Sequence, residues 1–245
     1  SHTFKEISQM GLEVLGKVDG GQVQQTVLLA AKSLEQLGAA WVLEVSHMGY
    51  LFGLFDALEV PANARPALLK LLREKNAHEL RAAAKTAGLS EDAADTLTQL
   101  LDLCGGYEET LARAEGFCKN ERMRAAAAEL RALAAPLKAA GGSIRLDLTL
   151  AGEMEYYNGL VFQGYLQGLP RPLLKGGRYD LLMQKFTPGA DAVGFAVYLD
   201  ELDRLSAPLP PVQQQKTDKT MLNVALPKGR LGDKVYNLLA RIGYG

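Results

Sequence analysis

The stretch EYYNGLVFQGY runs from Glu155 to Tyr165 and is followed by LKGGRYDLL from Leu174 to Leu182. Asn158-Gly159 and Gly168-Leu169-Pro170 carry the residues that are typical of tight turns. We therefore predict two strands around these turns, one over Glu155 to Tyr165 and one over Pro172 to Lys175.

The segments on either side of this pair extend the predicted sheet. Ser143 to Leu150 alternates apolar and polar residues with the period of a half-buried strand. Ala192 to Tyr198 is a further apolar run of strand length, and Leu199 to Leu205 is the start of a helix. This part of the chain is therefore predicted to be α+β, with an antiparallel sheet flanked by helices.

The N-terminal part alternates between strands and helices. Phe4 to Leu15 is predicted as a strand, followed by a helix over Gln22 to Leu37 and a short strand over Trp41 to Val45. Gln9 and Glu13 are polar residues within the first strand. Because they are four residues apart, we expect their side chains to lie on the same face of it.

Between Pro61 and Lys138 the chain is rich in alanine and leucine, and we predict a run of helices. Ser90 and Asn120, each followed by an acidic residue, are the predicted N-caps of two of them. Gly105-Gly106 is expected to separate two helices, and Pro136 to bend or end the last one. We assign these helices a structural role.

The composition excludes several kinds of protein. The chain of 245 residues is 48% hydrophobic and 22% charged, as in globular proteins, and its net charge of -1 provides no overall basic surface for nucleic acid. No apolar run approaches the ~20 residues that cross a bilayer. Cys104 and Cys118 lack the spacing of a zinc or redox motif, and the histidines are isolated. We expect reduced thiols, no metal site and a cytoplasmic location.

The last part of the sequence has a different organisation. Residues 206–220 are rich in proline and glutamine and are predicted to form a linker. Within 221–245, an apolar run precedes a turn with Lys228, Gly229 and Arg230, and helical spacing follows. This is the pattern of one βα unit. Its basic turn either binds an anion at the helix N-terminus or is simply exposed to solvent.

Three segments occur in an order that resembles a known family. ISQMGLEVLG (Ile7 to Gly16), the pair EYYNGLVFQGY and LKGGRYDLL, and AVGFAVYLDEL (Ala192 to Leu202) resemble the class II histidyl-tRNA synthetase fold. The resemblance covers most of residues 1–205, which it implies are part of one such domain. Residues from about 61 to 138 occupy the place of the family's helical insertion.

The resemblance also implies a binding site for histidine. The matching positions are Gln9, Glu13, Tyr156, Tyr157 and Tyr179. Carboxylate and amide oxygens, phenol hydroxyls and aromatic ring faces suit an amino acid zwitterion with an imidazole side chain. Judged without the resemblance, a tyrosine on a half-buried strand more often packs in a core or an interface.

Two departures from the synthetase pattern concern catalysis. The synthetases have an arginine where this chain has Gly152, and another at the end of the last motif, where this chain has Asp200-Glu201. Formation of an aminoacyl adenylate needs positive charge near the phosphoryl oxygens, and Glu201 would repel them. We therefore expect no aminoacylation and no tRNA substrate.

The segment LNVALPKGRLGDKVYNLLARIGY resembles the start of the short catalytic subunit of ATP phosphoribosyltransferase. That subunit works with a regulatory subunit related to histidyl-tRNA synthetase. The resemblance implies a regulatory domain fused to the beginning of a catalytic domain at residues 221–245, in a chain that is part of a longer protein. Lys228 and Arg230, with the Gly229 backbone, would then stabilise substrate phosphates in a reaction that uses Mg²⁺. No cofactor is expected on the regulatory part.

The expected function is therefore non-catalytic, allosteric regulation of the first enzyme of histidine biosynthesis. The expected ligand is histidine as feedback effector, and the expected partner is the ATP phosphoribosyltransferase catalytic subunit, in a homodimer or hetero-oligomer without tRNA or membrane. Two alternatives stay open. One is a histidyl-tRNA synthetase with unusual residues, and the other is a non-enzymatic scaffold with a vestigial pocket.

Overall fold

A seven-stranded sheet forms the centre of the structure. The computed structural model describes residues 8–150 and 157–204. The strands are β1 (Gln9–Gly16), β2 (Trp41–His47), β3 (Cys104–Gly106), β4 (Ser143–Asp147), β5 (Leu160–Leu166), β6 (Leu174–Arg178) and β7 (Asp191–Tyr198). They follow the order β1-β7-β6-β5-β2-β4-β3 across the sheet. The predicted α+β fold with a mainly antiparallel sheet is confirmed, and one neighbouring pair, β2 with β4, is parallel.

Helices connect these strands and form the insertion between β2 and β4. They are α1 (Gly20–Glu35), α2 (Met48–Ala57), α3 (Arg65–Arg73), α4 (Ala77–Thr86), α5 (Glu91–Gln99), α6 (Tyr107–Phe117), α7 (Glu121–Ala139), α8 (Asp180–Met183) and α9 (Leu199–Leu202), with a 3₁₀ turn at Leu100–Asp102. The predicted N-caps are confirmed, because the side chains of Ser90 and Asn120 each accept a hydrogen bond from a backbone N–H in the first turn of their helices. None of the helices in the described part of the chain is long and apolar enough to cross a membrane.

Several local predictions need correction. Gly105-Gly106 does more than separate two helices, since it belongs to β3, which pairs with β4 at the edge of the sheet. Of the two outcomes predicted for Pro136, the end of the helix is wrong, because α7 continues to Ala139. The proline removes only one helical hydrogen bond, to a carbonyl oxygen on the exposed side of the helix, so the last turn can still form. The strand predicted up to Leu150 ends at Asp147, whose carboxylate accepts hydrogen bonds from Thr149 and turns the chain.

The pairing of the strands separates the two faces of the sheet. Leu43, Gly164, Leu174 and Val197 are successive partners across four strands and therefore share one face. This face is covered by α1, because a side chain added at Gly164 would meet the Leu34 side chain of that helix. The opposite face carries Gln9, Glu13, Gln163 and Lys175 and is called the polar face.

Candidate functional site

A cavity of about 320 Å³ lies on the polar face of the sheet, away from α1. Gln9, Glu13, Tyr157 and Tyr179 all line it. These four predicted site residues come from both ends of the described chain, and the sheet brings them together because β1 pairs with β7, and β7 with β6. The fifth, Tyr156, lies outside the described residues.

Glu13 and Tyr179 form a hydrogen-bonded pair within this cavity. The Tyr179 hydroxyl donates to Glu13 Oε2 across 166 positions of sequence. Burial raises the pKa of Glu13, and the hydrogen bond from Tyr179 lowers it only in part, so the pKa stays above its usual value. The carboxylate lies against Gly194, where an added methyl group would overlap Glu13 Oε2 and the Leu12 carbonyl oxygen. Glycine is therefore needed at this position of β7.

Two tyrosine rings form the aromatic part of the lining. The ring centroids of Tyr157 and Tyr179 are 6.2 Å apart at an interplanar angle of 76°, which is an edge-to-face arrangement. The Tyr157 ring lies against Gly177, where an added Cβ would come within 2.7 Å of it. A carboxylate beside aromatic rings is an environment that suits a flat group with N–H donors or positive charge.

Asp180 holds the segments that carry both tyrosines. Its side chain accepts hydrogen bonds from Arg178 Nε at 2.7 Å and from Asn158 Nδ2 at 3.3 Å. Arg178 immediately precedes Tyr179, and Asn158 immediately follows Tyr157. The buried Asp180 carboxylate therefore fixes the two ring-bearing segments relative to each other.

The lining also contains polar residues that the sequence prediction missed, namely Gln163, Lys175 and Tyr198. Gln163 and Lys175 are direct partners on β5 and β6, and the Tyr165 hydroxyl donates to Gln163 Oε1 at 3.0 Å. Within the described lining, Lys175 is the cationic residue. The alternation of residues along each strand predicts which side chains share a face of that strand. Only the pairing of β5 with β6 shows that Gln163 and Lys175 lie side by side on the same face of the sheet.

The sequence predicted that Glu201 repels phosphate in the site. It is absent from the described residues that line the cavity, and its carboxylate lies 3.3 Å from Arg204 Nη1 at the end of α9. These observations do not place Glu201 in the cavity, and the expected repulsion of phosphate stays a prediction. Lys175 supplies one positive charge in the described lining, at a position other than those of the two missing arginines. Gly152 lies outside the described residues.

Some predicted features lie away from the cavity, and others fall on residues that the structure does not describe. The second group comprises the predicted linker at 206–220 and the predicted βα unit at 221–245, with Lys228, Gly229 and Arg230. Cys104 and Cys118 are not joined by a disulfide in the structure. Over residues 8–150 and 157–204, no group of three or more His, Cys, Asp or Glu side chains is arranged to hold a metal ion.

Known proteins resemble this chain in sequence and in fold. An ATP phosphoribosyltransferase regulatory subunit from Halalkalibacterium halodurans is 35% identical over 202 residues, which are 80% of this chain and 50% of that protein. The crystal structure of an ATP phosphoribosyltransferase regulatory subunit/histidyl-tRNA synthetase from Bacillus halodurans C is 31% identical, with a TM-score of 0.73 over 85% of this chain and 55% of that one.

A chain of the ATP phosphoribosyltransferase (HisG:HisZ) complex from Thermotoga maritima shares the fold, with 19% identity and a TM-score of 0.62 over 78% of this chain and 65% of that one. The present chain spans about half the length of the curated relatives it matches. The sequence model of the family described as Histidyl-tRNA synthetase matches residues 1–202. This chain therefore belongs to the histidyl-tRNA synthetase family.

Proposed function

We propose that this chain is a regulatory module of ATP phosphoribosyltransferase that binds histidine as feedback effector. The observation that carries the proposal is the Glu13–Tyr179 pair, which lies with the Tyr157 ring in one cavity. The Glu13 carboxylate accepts an N–H of the imidazole, and the tyrosine rings pack against its flat faces. The amide of Gln9, also in the lining, hydrogen-bonds the polar end of the amino acid.

The catalytic subunit of ATP phosphoribosyltransferase is the proposed partner, in a hetero-oligomer. The names of the relatives that are more than 30% identical support this assignment. Histidine bound in the cavity regulates a separate catalytic site only if the assembly has two states with different affinities for it. The same coupling makes the catalytic subunit change the affinity of this chain for histidine.

We propose further that the chain does not form an aminoacyl adenylate. Gly152 supplies no guanidinium group, and the single ammonium of Lys175 lacks the planar fork with which arginine binds two phosphoryl oxygens at once. The presence of Lys175 in the cavity lining is nevertheless an observation that favours the synthetase alternative. Histidine-dependent exchange between ATP and pyrophosphate would favour that alternative, and its absence supports the regulatory role.

Titration calorimetry of the complete protein with histidine tests the binding site. We expect saturable binding that weakens about tenfold in Tyr179→Phe and in Gln9→Ala, because each variant removes a hydrogen bond to the ligand or to Glu13. Tyr107→Phe is a matched control, since the Tyr107 hydroxyl donates to the Leu130 carbonyl oxygen between α6 and α7. The control should bind like the wild type.

An assay of ATP phosphoribosyltransferase activity, reconstituted from the complete protein and its catalytic subunit, tests the output. Histidine should inhibit the wild-type complex and inhibit the Tyr179→Phe complex only at higher concentration. If the complete protein does not bind histidine, the effector role is refuted. Activation of the catalytic subunit that is independent of histidine would instead favour the scaffold.

A further inference from the structure

We propose that the Gln163 side-chain amide donates a hydrogen bond to the carboxylate of the amino acid in the cavity, and that Tyr165 orients this amide. Gln163 thereby selects amino acids over the corresponding amines. This inference rests on the proposed function, because it takes the ligand to be an amino acid. It assigns a specificity-determining role to a residue outside the predicted site and a positioning role to Tyr165.

The Tyr165 hydroxyl decides which end of the Gln163 amide is available to a ligand. Both residues belong to β5 and, being two positions apart, face the same side of the sheet. The hydroxyl donates to Gln163 Oε1 at 3.0 Å and so engages the amide oxygen. Within residues 8–150 and 157–204, Gln163 Nε2 donates to no other group. Because Gln163 lines the cavity, its two N–H donors are available to a ligand there.

Glu44 is a competing acceptor for the Tyr165 proton. It lies on β2 directly opposite Gln163, and its carboxylate also hydrogen-bonds Tyr165. The contact of 3.0 Å with Gln163 Oε1 assigns the proton to Gln163. If Glu44 took the proton instead, Gln163 would have to turn its amide and donate to the Tyr165 oxygen. Its own oxygen would then face the cavity and repel a carboxylate, so the two orientations predict opposite effects of a negative charge at this position.

The separation of Gln163 and Glu13 fits the length of the proposed ligand. Strands β6 and β7 lie between them, and the residue of β1 level with Gln163 is Gly11, two positions from Glu13. Three strand spacings and one two-residue step separate the two backbones by roughly 16 Å. A histidine molecule with one hydrogen bond at its imidazole and one at its carboxylate spans roughly 12 Å. The Gln163 and Glu13 side chains, which both line the cavity, cover the rest.

The two ends of this span also match the ligand in hydrogen-bonding character. Glu13 offers the acceptor oxygens of a carboxylate, whereas Gln163 offers the donors of an amide. The carboxylate of an amino acid only accepts hydrogen bonds, and the N–H groups of histidine donate them. Histidine therefore fits with its imidazole at β1 and its carboxylate at β5.

Calorimetry with histidine and with histamine, which lacks the carboxylate, tests this assignment on the complete protein. Gln163→Met should weaken histidine binding about tenfold and leave histamine binding unchanged, because it removes a donor to a charged acceptor. Gln163→Glu should weaken histidine binding further, since two carboxylates repel each other, and should not weaken histamine binding. Gln25→Glu, at an exposed position of α1, is the matched control and should behave like the wild type.

A double-mutant cycle tests the positioning role of Tyr165. Tyr165→Phe should weaken histidine binding about threefold and leave histamine binding unchanged, because the Gln163 amide is no longer held in one orientation. In the Gln163→Met background the same substitution should have no further effect. Equal losses of histidine binding in both backgrounds would show that Tyr165 does not act through Gln163.

The outcomes separate this inference from the proposed function. If the wild type binds neither compound, the proposed function fails and this inference fails with it. If the wild type binds histidine and Gln163→Met binds it equally well, Gln163 does not hold the carboxylate. An equal loss of both ligands in Gln163→Met indicates a structural role and also overturns the assignment. Histidine binding by Gln163→Glu that equals or exceeds that of the wild type would overturn the proposed orientation of the amide.

Discussion

At the scale of single residues, Glu13 combines the proposed binding role with a cost in stability. Its pKa is raised because burial disfavours the carboxylate, and the hydrogen bond from Tyr179 offsets this only in part. A raised carboxyl pKa means that stability falls as the pH rises from the unfolded-state value through the folded-state value. At neutral pH the ionised Glu13 therefore lowers the free energy of unfolding.

The variant Glu13→Gln should consequently be more stable than the wild type at pH 7 and bind histidine at least about tenfold more weakly. The amide keeps the shape and still accepts the Tyr179 hydrogen bond, but it removes the partly desolvated negative charge that the proposed ligand contacts. Thermal unfolding and calorimetry measure the two effects. Glu35→Gln, at an exposed position of α1, is the control and should change neither. A lower melting temperature for Glu13→Gln would contradict the prediction.

At the scale of elements, the two confirmed N-caps differ in what they stabilise. Ser90 Oγ accepts from Ala93 N at an exposed helix start. Asn120 Oδ1 accepts from Met123 N, and Asn120 Nδ2 also donates to the Gly53 carbonyl oxygen at 2.7 Å. The second bond ties the start of α7 to the middle of α2. The Asn120 side chain is thus both a cap and a contact between helices.

We expect Ser90→Ala to lower the free energy of unfolding by about 1 kcal/mol, as for a single lost cap. Asn120→Ala should cost about 2 kcal/mol or more, because it also leaves the Gly53 carbonyl oxygen without its donor. Asn120→Asp keeps the cap acceptor and removes the Nδ2 donor, so its effect should lie between these values. Chemical denaturation measures all three variants. Equal losses for Ser90→Ala and Asn120→Ala would show that the contact with α2 contributes nothing.

At the scale of the whole molecule, His47 connects the sheet to the last helix of the insertion. Its Nδ1 accepts from Gly49 N at the start of α2, so the proton lies on Nε2, which is 3.1 Å from Glu129 Oε2 on α7. This hydrogen bond is the main cause of the lowered pKa of Glu129. A lowered carboxyl pKa contributes stability at neutral pH that is lost as the pH falls through the folded-state value.

Between pH 6 and pH 3.5, the wild type should therefore lose more stability than Glu129→Gln. The difference should stay below about 1 kcal/mol, because Glu129 is half-exposed and solvent screens the interaction. Urea unfolding at both pH values gives the comparison. Glu79→Gln, at an exposed position in α4, should keep the pH dependence of the wild type. The same dependence in Glu129→Gln as in the wild type would mean that the contact between β2 and α7 has no energetic effect.

Much of the fold could be predicted from the sequence because its signals are local. The alternation in β4, the apolar run of β7 and the caps at Ser90 and Asn120 depend on neighbours within a few residues. The family resemblance also predicted Gln9, Glu13, Tyr157 and Tyr179, which are four of the residues that line the cavity. Local signals failed at Gly105-Gly106, where hydrogen bonds to a distant strand decide between a linker and an edge strand.

By itself, the sequence determined the types of the elements, the mainly antiparallel α+β fold and the polar pair of β1. The tertiary structure alone decided that Lys175 and Gln163 face the same cavity as Glu13, and that Glu201 contacts Arg204 outside it. The physical reason is that neighbours across a sheet depend on strand order and register, and a shift of one residue would turn each side chain to the opposite face. Register depends on which residues of several strands face the core together, and no single segment contains that information.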